Sequence, residues 1–537
     1  MLRAAALALT LLCSAAPLTA GSVAGLDHAL AAADAGRPVW VFLEARDLDG
    51  EALSRARAEV RRSTPARTLE RRLRRGGPAA LDVRESDLPL GTDCIEAIAG
   101  TGARVRRESR WLNAVSVEAT SAQLEAIAAL PFVRGLRPVA RWTRAVPEVV
   151  TEGEGVSEAE VQRGGFYGAA GSQVGQLNID VLHQMGFTGT GVVMAVLDTG
   201  FNRTHDGFSG NGGPHVIAEY DFINDDGNTA FESGDAALQH CHGTYVLGVL
   251  AAYNPGVLVG AAYDASYILC KTEDTLGEYQ GEEDNYVAAL EFAELNGADL
   301  ATSSLGYIDW YTQADLDGVT AVTTMAVNEA TSRGMVCLTA AGNEGNDGDP
   351  ATSSLIAPAD AFSVITVGAV NRTGSTLGFS SDGPTADGRL KPEVLARGVN
   401  VQTVTCLSTT AYTGVDGTSF ATPLVAGAVA CLLQARPAWT VAQVREHLFA
   451  TASDYAATGQ TDPLFIRGYG VVDAYAALLD SACAGDVDGS ASVDFSDLEL
   501  VLERWGTADP LADLNASGVV DFDDLNAVLD AWASECE

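Results

Sequence analysis

At 537 residues the chain exceeds one compact domain, and at 47% apolar residues it can build a large core, so two to four domains are expected. Its 71 acidic against 33 basic residues, net −38, argue against a nucleic-acid or anionic-membrane binder and suit calcium or a saline medium. Residues 1–145 carry 21 Arg and 16 acidic residues, net +5, so the remainder carries net −43 and the first quarter is a different kind of protein.

Met1 to Ala20 places Arg3 before an apolar run, Ala4 to Leu12, and then small residues. That is the layout of a secretory signal peptide, too short to span a bilayer stably. No later stretch reaches 18 uninterrupted apolar residues, so no membrane association is expected. Export puts the cysteines beyond Cys13 in a disulfide-permissive compartment: Cys94, Cys241, Cys270, Cys337, Cys406, Cys431, Cys483 and Cys536. If Cys94 leaves with the first segment, seven remain, so at least one thiol is free or intermolecular. No Cys-x-x-Cys pair or His-rich cluster points to zinc.

From Pro38 to Arg141 the pattern predicts a strand at Val39 to Phe42, a charged helix from Glu51 to Arg75, and strands at Ala103 to Val105 and Asn113 to Val117. A helix at Ser121 to Leu130 and a strand at Val133 to Leu136 complete a small two-layer α+β unit. Ala145 to Gly171, rich in Glu and Gly, reads as a linker. Apolar, β-branched runs follow at Val192 to Leu197, Tyr267 to Cys270, Met335 to Ala340 and Val364 to Val370. Helical patterns at Glu283 to Asn296, Thr320 to Arg333 and Thr418 to Gln434 separate them. The alternation predicts an α/β domain, a mostly parallel sheet with helices on both faces, whose function sits at the carboxyl ends of its strands.

The tail repeats itself. Asp486 to Asp497 returns 27 residues later as Asp513 to Asp524, each copy leading into an apolar helical run that ends near Trp505 or Trp532.

Three local motifs carry chemistry. Asp198 follows an apolar strand and precedes Thr199-Gly200; His242 opens His242-Gly243-Thr244; Ser419 lies in Gly417-Thr418-Ser419-Phe420-Ala421-Thr422-Pro423 at a loop-to-helix junction, where free amides favour developing negative charge. Singly, each has a plain structural explanation: a turn, a satisfied core histidine, a helix cap. Together, in the order Asp, His, Ser, they resemble the subtilisin-like serine protease family over Gly171 to Leu479, with a fourth motif at Ala340 to Gly345.

The resemblance implies a secreted or cell-surface serine endopeptidase made as a zymogen. Asp198, His242 and Ser419 would be its triad, with Asn343 an oxyanion donor. It implies that Ser304-Leu305-Gly306 pairs with substrate backbone and that Glu344 lies at the rim of the pocket for the residue before the scissile bond, giving a broad enzyme that favours large apolar residues there and tolerates basic ones. The unit within residues 21–150 would be an inhibitory propeptide, residues 165–480 the catalytic domain, and protein or peptide chains the substrates. Members often have His where Tyr245 stands, and Ala251 to Ala262 is short beside the calcium loop of many relatives. Glu282, Glu283 and Asp284 read as a solvated helix start, with calcium the second choice; His205, Asp206 and His240 read as structural.

The small, all-α, EF-hand-like tail, residues 483–537, resembles a dockerin-type pair of Ca²⁺ repeats. Its ligands would be Asp486, Asp488, Ser490 and Asp497, then Asp513, Asn515, Ser517 and Asp524, with Ala491 where the second loop has Gly518. A Cys483–Cys536 clasp and a cohesin-like partner would follow, a calcium-stabilised appendage being the alternative. The rival for the whole chain is a catalytically dead homologue whose tail makes it a binding protein.

Overall fold

The computed structural model describes residues 23–44, 46, 50–141, 165–275, 282–480, 485–487, 492–507, 509, 512–515 and 517–533. The expected signal segment, most of the linker, Asp488, Ser490, Ala491, Cys483 and Cys536 lie outside them.

The N-terminal unit contains α1 (Leu26–Asp34), β1 (Val39–Leu43), α2 (Gly50–Ser63), α3 (Ala66–Gly76), α4 (Thr92–Ala99), β2 (Arg104–Ser109), β3 (Ala114–Glu118), α5 (Ser121–Ala128) and β4 (Val133–Pro138). Its antiparallel sheet has the order β2-β3-β1-β4. Strand alternation splits β1: Val39, Val41 and Leu43 join the unit's own core, while Trp40 and Phe42 face the next domain. The helix expected from Glu51 to Arg75 is two helices. Pro65 takes an extended ψ of 146° and caps α3, because the residue before proline is driven out of the helical region and proline itself has no N–H to give.

The second domain has short helices α6 (Gly171–Gln176) and α7 (Ile179–Gln184), then β5 (Val193–Asp198), β6 (His215–Asp221), α8 (Cys241–Ala251), and the small hairpin β7 (Tyr253–Asn254) and β8 (Leu258–Val259). It continues with β9 (Ser266–Lys271), α9 (Glu283–Leu295), β10 (Leu300–Ser303), α10 (Val322–Ser332), β11 (Val336–Ala340), β12 (Ile365–Val370), β13 (Val394–Arg397), β14 (Val401–Val404), β15 (Tyr412–Val415) and α11 (Thr418–Ala435). The helices α12 (Val441–Ala450), α13 (Ser453–Thr458) and α14 (Ala474–Asp480) close it.

Seven strands form one sheet in the order β13-β12-β11-β10-β5-β9-β6, every neighbouring pair parallel. Two apolar layers cover it. One packs α8 and α11 on the sheet; the other packs α9 and α10, and Trp40, Phe42 and Trp111 of the N-terminal unit extend that layer outward. The 18-residue α11 is apolar enough to cross a membrane, yet it lies buried against the sheet. The tail adds α15 (Phe495–Glu503) and α16 (Phe522–Asp530), packed over a small core of its own that includes Val493, Val501, Val520 and Val528.

Candidate active site

Asp198 is the last residue of β5, a strand buried along its whole length. Its Oδ1 accepts from the Thr199 backbone N–H at 2.7 Å and pairs with His242 Nδ1 at 2.7 Å. His242 is the second residue of α8, and the approach of this helix to β5 depends on Gly243. A Cβ there would stand 2.3 Å from the Gly200 carbonyl oxygen and 3.0 Å from Asp198 Cβ. A Cys241–Cys406 disulfide, with Cα atoms 5.0 Å apart, ties the same turn to the loop between β14 and β15. With Nδ1 donating to the carboxylate, Nε2 is the nitrogen left to accept a proton.

Ser419 is the second residue of α11. Four residues on, Pro423 has no N–H to return to the Ser419 carbonyl, and that oxygen instead accepts from Ser304 Oγ at 2.6 Å. The missing helix bond is thus replaced by one that fixes α11 against the end of β10. Ser419 Oγ itself sits 3.4 Å from the Ser304 carbonyl oxygen. Asn343 follows β11, and its Oδ1 accepts from the Thr418 N–H at 2.9 Å and from Thr418 Oγ1 at 3.0 Å. That leaves Nδ2 as the donating end, 3.7 Å from where a Gly417 Cβ would stand; Gly417 has φ +148°. Exposure is 0% at Asp198, 8% at His242 and 5% at Ser419, so the acid is sealed and the other two are just reachable.

The carboxyl ends of β5, β10 and β11 therefore bring together Asp198, Ser304 and Asn343, with His242 and Ser419 delivered by two helix starts. Leu305 is buried and Gly306 faces Ile356: a Cβ on Gly306 would stand 2.0 Å from Ile356 Cδ1. The Ile356 backbone in turn bonds the Ala341 carbonyl at 3.4 Å, so this side chain joins the 304–306 and 340–344 segments. Glu344 is exposed, and its Oε2 accepts from Ser381 Oγ at 3.0 Å. The sequence reading missed Ile356, Ser381 and the Cys241–Cys406 pair. Each depends on a partner dozens of residues away, and no local pattern marks it. Among the described residues, Cys270, Cys337 and Cys431 are free and buried, burial pushing all three thiols up.

The acidic run at the start of α9 is not a solvated face. Glu282, Glu283 and Asp284 are 5%, 0% and 0% exposed because the N-terminal sheet lies on them. Arg106 Nε donates to Asp284 at 2.9 Å and Ser116 Oγ at 2.5 Å; the Ala140 N–H and Tyr311 Oη donate to Glu283 at 3.0 and 2.6 Å. Burial pushes the Glu283 carboxyl up to about 7. His205, with Nδ1 accepting from the Gly207 N–H and Nε2 2.7 Å from the Ala411 carbonyl oxygen, holds two loops together.

Among the described residues, one group of carboxylates could hold a metal ion. Asp221, Asp226 and Glu232 can bring ligand atoms within 4.8 Å of one another, although Asp221 Oδ2 also pairs with Lys271 Nζ at 2.8 Å. In the tail's second loop, Asp513 accepts from the Ser517 and Gly518 N–H groups at 2.9 and 2.7 Å, Asn515 Oδ1 accepts from the Ser517 N–H at 2.9 Å, and Asp524 Oδ1 accepts from the Asn515 N–H at 3.2 Å. In the first loop, Asp497 accepts from the Val487 and Asp494 N–H groups, and Asp486 pairs with Arg436 Nη2 of the preceding domain at 2.9 Å.

Residues 189–470 match the model of the subtilase family, and residues 38–151 match that of a peptidase S8 propeptide domain from Bacteroidota. Subtilisin E of Bacillus subtilis (strain 168) is 36% identical over 281 residues, covering 52% of this chain and 65% of its own length. The chain thus spans about two-thirds of that relative. Subtilisin of Bacillus pumilus is 34% identical over 305 residues, covering 57% of this chain and 97% of its own. Fervidolysin from Fervidobacterium pennivorans, a keratinolytic enzyme related to subtilisin, superposes with a TM-score of 0.54 at 23% identity, covering 82% of this chain and 61% of its own, and so shares the fold.

Proposed function

The chain belongs to the subtilase family, and on that premise we propose that it is a secreted serine endopeptidase made as a zymogen. The 2.7 Å pairing of His242 Nδ1 with a wholly buried Asp198, beside Ser419 at a helix start, carries the proposal. His242 Nε2 takes the Ser419 hydroxyl proton as Oγ attacks a peptide carbonyl, and Asp198 holds the tautomer and stabilises the imidazolium. Asn343 Nδ2 and the Ser419 N–H receive the developing oxyanion, which the amino end of α11 favours. His242 then protonates the leaving amine, and water hydrolyses the acyl-enzyme. The purified, processed protein should cut internal bonds of an unfolded protein and stop after treatment with a serine-directed phosphonate. Undiminished cleavage after that treatment would reject the serine mechanism.

Substrate backbone pairs with Ser304-Leu305-Gly306 as an added strand, so recognition is tolerant of sequence. Ile356 narrows the expectation of large residues before the scissile bond. Its side chain fills the space over Gly306, so side chains of moderate size fit best, while Glu344 at the rim gives basic residues a gain of a few-fold at most. Ile356→Gly should raise kcat/KM for a Phe substrate relative to its Ala counterpart by about tenfold. An unchanged ratio would place the pocket elsewhere.

Ca²⁺ is proposed for the tail. Asp513, Asn515, Ser517 and Asp524 can offer oxygen ligands, and among the described residues no Lys or Arg pairs with Asp513 or Asp524; the first loop would use Asp488, Ser490 and Asp497 with Asp486, whose pairing with Arg436 the ion would have to displace. Exposed pairs recur at the repeat distance, Phe495 with Phe522, Leu502 with Leu529 and Trp505 with Trp532, which suits a dockerin-like module with a cohesin-like partner. Chelating the ion should open residues 484–537 before any other part, because clustered carboxylates repel one another without it. Limited proteolysis of the full-length Ser419→Ala chain, with and without chelator, measures this; an identical cleavage pattern would count against calcium loops.

A further inference from the structure

The N-terminal unit meets the catalytic domain through its sheet and through its helix α3, and the two contacts share Glu294, which Arg110 of the sheet's β2–β3 turn also reaches at 3.4 Å. Its sheet lies on α9 and α10. Its helix α3 docks at the opposite end of the molecule from Ser419, where β5 and β10 begin. At roughly 3.3 Å per residue, the six residues of β5 put its two ends about 17 to 20 Å apart.

The second contact is built from buried charge. Arg71 Nη2 and Arg72 Nε donate to Glu294 Oε1 at 2.7 and 2.8 Å. Arg75 donates to the Asp299 backbone carbonyl at 2.8 Å and to its Oδ1 at 3.0 Å, and Arg67 Nη2 donates to Asp299 Oδ2 at 3.0 Å. Thr68 Oγ1 donates to the carbonyl of Glu294 at 3.0 Å. Arg71, Arg72, Arg75, Glu294 and Asp299 are all 5% exposed or less. The floor is shaped for the helix: Gly297, at φ +78°, leaves room for the Arg67 stem, where a Cβ would stand 2.7 Å from Arg67 Cγ. Asp87 of the N-terminal unit completes the set by binding both Arg72, at 2.9 Å, and Arg333 of the catalytic domain, at 3.3 Å.

We propose that α3 is a docking arm that holds the propeptide on the catalytic domain after the chain between them is cut, with the Glu294 and Asp299 cleft as its receptor. The proposal rests on reading the N-terminal unit as a propeptide. It separates retention from inhibition: vacating the active site does not release α3, because nothing in the arm's contacts involves the carboxyl ends of the strands. Buried pairs are screened far less than surface charges, so the association resists salt. Losing one partner leaves the other charge buried and unpaired, so single substitutions act strongly.

The test uses the full-length Ser419→Ala chain carrying a site-specific protease sequence inserted among residues 146–160, so its outcome is independent of whether the chain is a peptidase. After cutting, and with Cys94→Ala removing the disulfide of that residue, the two fragments should co-elute in gel filtration at about 1 M salt. Arg71→Met with Arg75→Met should weaken their association by about a hundredfold or more. Far-UV circular dichroism of the uncut variant checks that it folds. Arg75→Met and Asp299→Asn, singly and combined, provide a second reading: the pair should lose little more than the worse single. Separation of the parent fragments, undiminished association of the Arg71/Arg75 variant, or full additivity in the Arg75/Asp299 set would overturn the arm.

Discussion

Replacing Ser419 by alanine is expected to abolish peptide hydrolysis, by about six orders of magnitude in turnover, and to leave the precursor uncut. That magnitude is known from subtilisin itself. The reason is geometric. Ser419 Oγ is the hydroxyl that the α11 start and the Ser304 hydrogen bond hold beside Asn343, and 5% exposure leaves little room for water to take over its attack. Removing His242 as well should add little, because nucleophile and base act as one unit. The processing half is separately measurable. A purified Ser419→Ala precursor, kept free of other proteases, should remain intact in gel electrophoresis; normal maturation would show that cutting is done in trans by another enzyme.

Asn343→Ala should lower kcat by about 100- to 1000-fold with KM little changed, again the loss known for a subtilisin. Oδ1 is committed twice to Thr418, so Nδ2 is the amide end available to an oxyanion, and in the proposed mechanism it would serve charge that exists only in the transition state. Asn343→Asp should be as damaging, since a carboxylate at that place accepts where a donor is required. A rise in KM alone for Asn343→Ala, measured with one peptide substrate, would mean that Asn343 binds the ground state and not the transition state.

Much of the site was legible because its parts are local. Asp198 at a strand end, His242 before Gly243, and Ser419 after Gly417 are each a proposed catalytic residue beside a residue that makes room, and those neighbours lie within two positions in the sequence. The alternating apolar runs likewise gave the parallel sheet, whose β5, β9, β11 and β12 lie where those runs were read. Partners distant in sequence stayed hidden. The charge at Glu282 to Asp284 looks the same on paper whether water or Arg106 faces it, and the structure places Arg106 there, 178 residues from Asp284. The positive balance of residues 1–145 marked the first quarter as a different kind of protein. What it could not tell was that Arg71 and Arg75 would be buried at the far end of the sheet. The break in the helix from Glu51 to Arg75 is different, because Pro65 was visible and is enough to cause it.

The most direct measurement of the central claim is covalent labelling. The processed, native protein should react stoichiometrically with a fluorophosphonate, and peptide mass spectrometry should place the adduct on Ser419 alone, with labelling lost in Ser419→Ala, in His242→Ala and after denaturation. An unlabelled native protein, or an adduct on another residue that persists in Ser419→Ala, would contradict the assignment of Ser419 as the nucleophile.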